Sequence, residues 1–277
     1  MSVSFAVARG RQFYRACGGV ARATAQDTDM STLDYAKARE LMVEQQIRPW
    51  DVLDPRVLAV LAGTPREAFV AAQHRNLAYS DLPLPLPHGE QMMKPVLEGR
   101  ALQALELTPG DDVLEIGTGS GFLTACLAGL AREVVSLERH ADLADTARAA
   151  LAGQGIANVN VIHGDAFVWQ NNRRFSAICV TGAVSAIPQH FLEWLQPDGR
   201  MFVVRGRSPA MEAVLVRNPS GTPRIESLFE TDLPLPLPVP ISSTSSPGVS
   251  ASACRARPSS TGFIICSPWG SGSGRSV

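Results

Sequence analysis

The residues with the clearest chemical potential lie in one short run, DVLEIGTGSGF at positions 112–122, where a strand pattern leads directly into a glycine loop and then a helix. Glycines allow a backbone to pass close to a ligand, and a helix N-terminus presents free N–H groups to an anionic part of it. Glu115 adds a carboxylate two residues before the first glycine. The run therefore predicts a ligand-binding loop at the end of a strand.

The spacing of the glycines separates this loop from a dinucleotide-binding fingerprint. That fingerprint, Gly-x-Gly-x-x-Gly, places its third glycine five residues after the first. Counted from Gly117 the position is Phe122, and the third glycine of this chain, Gly121, comes one residue earlier. A nicotinamide dehydrogenase is therefore disfavoured, although a tight structural turn would explain any one of these glycines taken alone.

Two further acids follow the next two strand candidates. Glu138 ends the second strand, where an acid in a doubly wound fold accepts the hydroxyls of a ribose, and Asp165 ends the third. Taken singly, either carboxylate also fits a solvated helix cap. Together with Glu115 they occupy successive strand ends, which predicts that all three face one crevice beyond the carboxyl ends of the strands.

Alternating apolar strands and helix-length segments predict the fold that positions these residues. The part of the domain before Gly110, called the helical preface below, is predicted to contain one capped helix from Asp54-Pro55 and another from Pro95. After it the order of elements becomes βαβαβ. We therefore expect an α/β fold with a doubly wound, mostly parallel, seven-stranded sheet and an antiparallel hairpin at its edge. The predicted strands are Val113–Ile116, Val134–Leu137, Val159–Ile162, Ala177–Val180, Met201–Val204, Ala213–Val216 and Ile225–Phe229. The predicted helices between them are Phe122–Leu130, Ala141–Leu151 and Gln189–Leu195.

Composition excludes several classes of protein. Twenty-five basic and 26 acidic side chains leave a net charge of −1, which argues against a nucleic-acid binder built on a basic face. No apolar run approaches the roughly 18 residues of a membrane span, so we expect a soluble protein without a membrane partner. The five cysteines lie far apart, without CxxC or Cys/His spacing, so we expect no metal site and a reducing compartment.

The two ends of the chain differ from its middle. Residues 1–29 carry four arginines and no acid before Asp27, a bias typical of transit peptides and of translated non-coding sequence, and we favour a start site placed too early, before Met30. Residues 233–277 contain no acid and are rich in Ser, Pro and Gly, as in a disordered docking tail or a frameshifted read-through. The sequence therefore predicts one domain, residues 30–232.

Several segments of that domain resemble one enzyme family. The glycine run, the acid at position 138 and Gly164-Asp165-Ala166 resemble the S-adenosylmethionine site of class I methyltransferases. FVAAQHRNLAY at 69–79, followed by His88-Gly89, is similar to the substrate-side segment of protein-L-isoaspartate O-methyltransferases. FSAICVTGA at 175–183, with Ile187-Pro188 and LQPDGRMFV at 195–203, resembles that family's fourth and fifth strands.

The resemblance implies a role for each matching residue. It implies that S-adenosyl-L-methionine is bound by Glu115, Gly117, Thr118, Gly119, Gly121, Glu138, Arg139, Asp165, Ala166 and Thr181. It implies that the substrate side is lined by His88, Gly89, Gly182 and Ala183.

One position departs from the family. Where its members usually read Gly-Gln-Thr-Ile-Ser-x-Pro, this chain reads GEQMMKP at 89–95, which places Met93 at the serine that resemblance makes catalytic. Methionine cannot donate a conventional hydrogen bond to a carboxylate. Gln91 or Lys94 would be alternative donors, and Met93 fits equally well as a core contact of the following helix.

The resemblance implies an enzyme that methylates the carboxylate of L-isoaspartyl and D-aspartyl residues in damaged proteins and so begins their repair. Its partners would be isoaspartyl proteins or peptides, and we expect a cytoplasmic monomer. The alternatives are a methyltransferase of the same fold with another acceptor, which Met93 favours, and a non-catalytic protein that binds S-adenosylmethionine.

Overall fold

The computed structural model describes residues 34–218, 222–231 and 233. The predicted extension at residues 1–29 and the tail beyond Leu233 lie outside the described residues. Leu233 itself was assigned to the tail by the sequence, yet its side chain is 8% exposed and packs with the core of the domain.

The preface before the sheet is helical, as predicted. Asp54 caps the helix that begins at Pro55 by accepting the backbone N–H of Arg56 at 2.8 Å, and Pro55 stands at the first helical position, as the sequence indicated. The first helix was not predicted, because it is only seven residues long and none of its residues is buried. The helices are α1 (Tyr35–Leu41), which continues as a π-helical stretch (Met42–Ile47), α2 (Pro55–Gly63) and α3 (Pro95–Ala104).

A two-stranded hairpin that the sequence did not predict joins this preface to the sheet. Its strands are β1 (Leu84–Pro85) and β2 (Gln91–Met92), with Leu84 opposite Met92. At its tip His88 and Gly89 both have positive φ, 62° and 78°. Proline-rich sequence before the tip leaves few backbone donors, which is why the strands are so short.

The seven-stranded sheet confirms the predicted fold. Its strands are β3 (Asp112–Ile116), β4 (Glu133–Glu138), β5 (Val159–His163), β6 (Phe175–Val184), β7 (Leu195–Arg207), β8 (Ala210–Arg217) and β9 (Arg224–Glu230). Their order in the sheet is β5-β4-β3-β6-β7-β8-β9, with parallel pairing from β5 to β7 and antiparallel pairing from β7 to β9. The helices between them are α4 (Phe122–Leu130), α5 (Ala141–Gly153) and α6 (Gln189–Glu193), so the prediction that α6 reaches Leu195 was wrong, since Leu195 begins β7.

Successive residues of the central strands face opposite layers of core. In β3, Val113 packs with α4 on one face while Leu114 packs with α6 on the other, and in β6 the same alternation separates Ala177 from Ile178. A parallel sheet covered on both faces leaves its ligand site at the carboxyl ends of the strands. The loops after β3, β4, β5 and β6 therefore surround one cleft.

Candidate functional site

The loop after β3 turns sharply because its glycines adopt conformations that other residues avoid. Gly117 has φ +98°, and a Cβ built on it would lie 2.3 Å from Oγ1 of Thr181, which donates hydrogen bonds to the carbonyl oxygens of Ile116 (3.0 Å) and Gly117 (2.7 Å). The loop is thus held against β6 with no room for a side chain at position 117. Ligand and backbone can approach each other closely here.

Glu138, the last residue of β4, ties this loop to the next one. Its Oε2 accepts the backbone N–H of Gly119 at 2.8 Å, and its Oε1 accepts the N–H of His140 at 3.0 Å. The side chain is 4% exposed and lies on the wall of the cleft. A carboxylate fixed in this way has lone pairs left for hydroxyl groups of a ligand.

Asp165 stands at the end of β5 and forms another part of the wall. Its Oδ1 accepts the backbone N–H of Phe167 at 2.9 Å, which orders the turn that follows the strand. Phe167 is 49% exposed and also borders the cleft. The turn therefore places a carboxylate beside an aromatic ring, a combination suited to a heterocyclic ligand with polar edges.

The cleft brings most of the predicted site residues together. It encloses about 1080 Å³, part of which is open to solvent. The predicted residues on its wall are Met93, Gly117, Thr118, Gly119, Glu138, Arg139, Asp165, Ala166, Thr181, Gly182 and Ala183.

Glu115 lies beneath the glycine loop instead of on the cleft wall. It is fully buried, and its Oε2 accepts hydrogen bonds from the hydroxyls of Thr124 and Ser136, while Ser136 also bonds Thr118 of the loop. Burial raises the pKa of Glu115 to about 8, although these two hydrogen bonds lower it. The charge of Glu138 adds to the rise. The second oxygen, Oε1, is buried without a partner among the described residues.

Gly121 also stays off the wall and shapes the entry into α4. It has φ +86° at the N-terminal end of the helix, and a Cβ on it would lie 3.2 Å from that of Ala147 in α5. Its absence of a side chain allows the two helices to pack closely.

The structure places His88 and Gly89 at the rim, outside the set of residues that line the cleft. The ring of His88 stacks on that of His140, with centroids 4.1 Å apart, and its Nε2 bonds both carboxylate oxygens of Asp142 at 2.8 and 2.9 Å. The hydrogen bond from His88 lowers the pKa of Asp142. These contacts fasten the hairpin to α5, so that Leu86 and Glu90 can line the cleft.

Sequence reasoning missed a buried arginine–glutamate pair behind Met93. Arg66, fully buried, donates through Nη1 to Oε2 of Glu98 and through Nη2 to the carbonyl oxygen of Met93 at 2.6 Å. Glu98 is 2% exposed and lines the cleft. The sequence signal for Glu98 was that it shares a helical face with the apolar residues Ala101, Leu102 and Leu105. No sequence signal indicated that Arg66, 32 residues earlier, would be its partner.

Neither a membrane span nor a metal-binding cluster occurs in the described ranges. No helix within residues 34–218, 222–231 and 233 is long and apolar enough to cross a membrane. The same part of the chain holds no group of three or more His, Cys, Asp or Glu side chains arranged to hold a metal ion.

Proteins that are similar in sequence to this chain share one name. The family model for protein-L-isoaspartate(D-aspartate) O-methyltransferase (PCMT) matches residues 37–225. Protein-L-isoaspartate O-methyltransferase of Synechococcus sp. (strain JA-2-3B'a(2-13)) is 39% identical over 207 residues, which are 74% of this chain and 84% of that protein. Protein-L-isoaspartate O-methyltransferase 1 of Rhodopseudomonas palustris (strain HaA2) is 41% identical over 182 residues, 65% of this chain and 74% of that protein.

The fold is also that of a solved structure. A Plasmodium falciparum protein-L-isoaspartate O-methyltransferase, crystallised with S-adenosyl-L-homocysteine, superposes with a TM-score of 0.64 at 19% identity, over 74% of this chain and 98% of that one. Because the family model covers more than half of the chain and both bacterial relatives align over most of their length, the chain belongs to the protein-L-isoaspartate(D-aspartate) O-methyltransferase family.

Proposed function

We propose that this protein uses S-adenosyl-L-methionine to esterify the carboxylate of L-isoaspartyl and D-aspartyl residues in damaged proteins. The observation that carries the proposal is a single cleft in which the glycine loop, Glu138 and Asp165 meet the segment that contains Met93. Family membership supports the same activity.

The residues present fit the cofactor. S-adenosylmethionine combines a ribose with two hydroxyls, a flat base and a zwitterionic amino acid. Glu138 would accept the ribose hydroxyls, and Asp165 and Phe167 would offer a polar and an aromatic contact for the base, since all three line the cleft. Arg139 Nε is buried and unpaired among the described residues, and Arg139 lines the cleft, so it offers a donor for the amino acid part.

Methyl transfer to a carboxylate depends on the alignment of the reacting atoms and requires no proton transfer. When bound, S-adenosylmethionine supplies an electrophilic methyl group carried by a sulfonium. The acceptor carboxyl group ordinarily titrates at about pH 4, so it is already ionised at neutral pH and requires no general base. The cleft has to hold its oxygen in line with the methyl carbon, a positioning effect that can lower a barrier by several kcal/mol.

Exclusion of water is the second task of the cleft. Apolar side chains from the hairpin, from strands β4 and β6 and from helices α4 and α6 surround the polar groups. They are Leu86, Met92, Leu123, Leu137, Val180 and Phe191. A carboxylate that loses part of its hydration shell there meets the methyl carbon with less competition from solvent.

A methyltransferase with another acceptor is the second candidate, and Met93 favours it. Its side chain is 6% exposed, lines the cleft and lacks a conventional hydrogen-bond donor. A carboxylate acceptor beside it therefore has to find its donor elsewhere.

The deciding experiment supplies labelled S-adenosylmethionine to matched isoaspartyl and aspartyl peptides and measures base-labile methyl ester. Ester on the isoaspartyl peptide alone supports the proposal. Cofactor binding without ester on either peptide favours another acceptor or a non-catalytic role.

We also propose that the protein is a cytoplasmic monomer whose methyltransferase domain spans residues 30–232, with the side chain of Leu233 packed beside the cleft. The free, buried thiols of Cys126 and Cys179 suit a reducing compartment. Light scattering on the purified chain tests the monomer, since a mass of twice 29.6 kDa contradicts it. A chain that begins at Met30 should fold and bind cofactor if the extension is dispensable.

A further inference from the structure

Glu98 is a cleft carboxyl group that the methyl transfer described above does not use. It lies in the first turn of α3, is 2% exposed and borders the cleft together with Met93 and Gly182. Its Oε2 accepts the hydrogen bond from Arg66, and no hydrogen bond from the described residues reaches its Oε1. One oxygen of a buried carboxyl group is therefore left for a ligand.

The charged side chains of the cleft are mainly negative, so an ionised Glu98 with a free Oε1 would add to the repulsion of an anionic substrate. Glu90, Glu138 and Asp165 also line the cleft, and Arg139 is the only basic residue among the described wall residues. Two carboxylates that share a dry site cannot both stay ionised, because their repulsion raises the pKa of one of them. A substrate carboxylate next to an ionised Glu98 would be expelled, whereas a protonated Glu98 would hold it.

The surroundings of Glu98 allow that proton at neutral pH. Burial raises the pKa of Glu98 and the charge and hydrogen bond of Arg66 lower it, so that the pKa lies at about 7, with Asp81 adding a smaller rise. The other titratable groups that interact with Glu98 lie on β3, α4 and β6 and carry no positive charge. They are Glu115, Cys126 and Cys179.

We propose that protonated Glu98 donates a hydrogen bond to the acceptor carboxylate and so determines specificity for a carboxylate at this site. The inference rests on the proposed function and names the donor that Met93 cannot supply. Arg66 acts as a positioning residue, because one guanidinium group holds both the Glu98 carboxyl and the Met93 carbonyl. The proton stays on Glu98 throughout, and no bond to it forms or breaks.

The test measures binding without turnover. A fluorescent isoaspartyl peptide is titrated with the full chain in the presence of saturating S-adenosyl-L-homocysteine, at several pH values from 6 to 8. If the peptide binds only to the chain with protonated Glu98, Kd is proportional to one plus the ratio of ionised to protonated Glu98. With a pKa of about 7 for Glu98, Kd therefore rises about tenfold from pH 6 to pH 8. Calorimetry in buffers of different ionisation enthalpy should show uptake of about half a proton per peptide at pH 7.

Glu98→Gln is the informative variant. Its carbonyl oxygen can still accept from Arg66 while its amide donates at every pH, so Kd should stay within about twofold from pH 6 to 8. Glu90→Gln, which removes another carboxylate from the same wall, should keep the tenfold rise whatever its effect on Kd itself. An isoasparaginyl peptide, which presents an amide, should bind the wild-type chain without the rise.

Each result decides the matter. A flat wild-type Kd, or a rise that Glu98→Gln retains, overturns the assignment of Glu98 even if the isoaspartyl peptide is methylated. If Glu98→Gln does not fold, proton uptake by the wild-type chain decides, and its absence at pH 7 overturns the assignment. If the wild-type chain forms no ester on the isoaspartyl peptide, the proposed function fails and the role of Glu98 fails with it.

Discussion

Gly117→Ala is the substitution with the most calculable effect on the site. The new Cβ would stand 2.3 Å from Oγ1 of Thr181, far inside van der Waals contact, and the backbone at φ +98° is one that L-residues rarely adopt. Either the loop moves or Thr181 turns away.

The cost follows from these two terms. A non-glycine residue in this conformation costs about 1–3 kcal/mol. If Thr181 rotates, the bifurcated hydrogen bond from its one hydroxyl proton to the carbonyls of Ile116 and Gly117 is lost, at about 1 kcal/mol. Alanine returns less than about 1 kcal/mol by restricting the unfolded chain. The free energy of unfolding should therefore fall by about 1–3 kcal/mol.

Urea unfolding measures the stability, and calorimetry with S-adenosyl-L-homocysteine measures binding, which should weaken at least tenfold because the loop forms the wall. Gly153→Ala is the matched control, since a Cβ there meets nothing within 4 Å, and it should change stability by less than about 1 kcal/mol. The double variant Gly117→Ala/Thr181→Ala lacks the colliding oxygen and should be more stable than the sum of the single effects predicts.

A Gly117→Ala protein within about 0.5 kcal/mol of wild type would refute the reasoning. So would strictly additive effects in the double variant, because they would show that Thr181 does not limit the space at position 117.

Three further substitutions test other parts of the structure. Glu138→Gln should weaken S-adenosyl-L-homocysteine binding about tenfold in calorimetry, because an amide cannot accept both backbone N–H groups; unchanged affinity contradicts this. Burial raises the pKa of Asp111, but hydrogen bonds led by that from Arg200 outweigh it and bring the pKa to about 2. Asp111→Asn should therefore cost about 2 kcal/mol above pH 4, and the difference should be lost as pH falls through 2 in urea titrations. Leu233→Ala should lower stability by about 2–3 kcal/mol, whereas removal of residues 234–277 should leave Tm unchanged.

The sheet was predictable because each strand is either a short, wholly apolar run or an alternation of apolar and polar residues. Helices show a different spacing of apolar residues. Strand ends were less predictable, since β6 continues through Thr181 to Val184 and β7 begins at Leu195. At those ends tertiary pairing with β7 extends the ladder beyond the residues whose own preference favours a strand.

The cleft was predictable only where chain topology decides it. Glu138 and Asp165 end parallel strands, and the carboxyl ends of such strands meet at one edge whatever the details of packing. His88 could not be placed in this way, because its direction depends on a hairpin whose register a sequence with three prolines does not determine. The pair of Arg66 and Glu98 was equally hidden, since two charges become interpretable only when the fold brings them together.

Strand parity also explains why Glu115 belongs to the site without lying on its wall. Glu115 is two residues after Val113 and so faces the same layer as that residue, under α4, where water cannot reach it. An acid in that position acts on the ligand loop through Ser136 and Thr118, whose hydroxyls connect it to the backbone that the ligand would contact. Replacing its carboxyl group should therefore disturb the conformation of the loop without removing any direct contact with the ligand. Glu115→Gln should alter the amide exchange of residues 117–121 in the absence of any ligand.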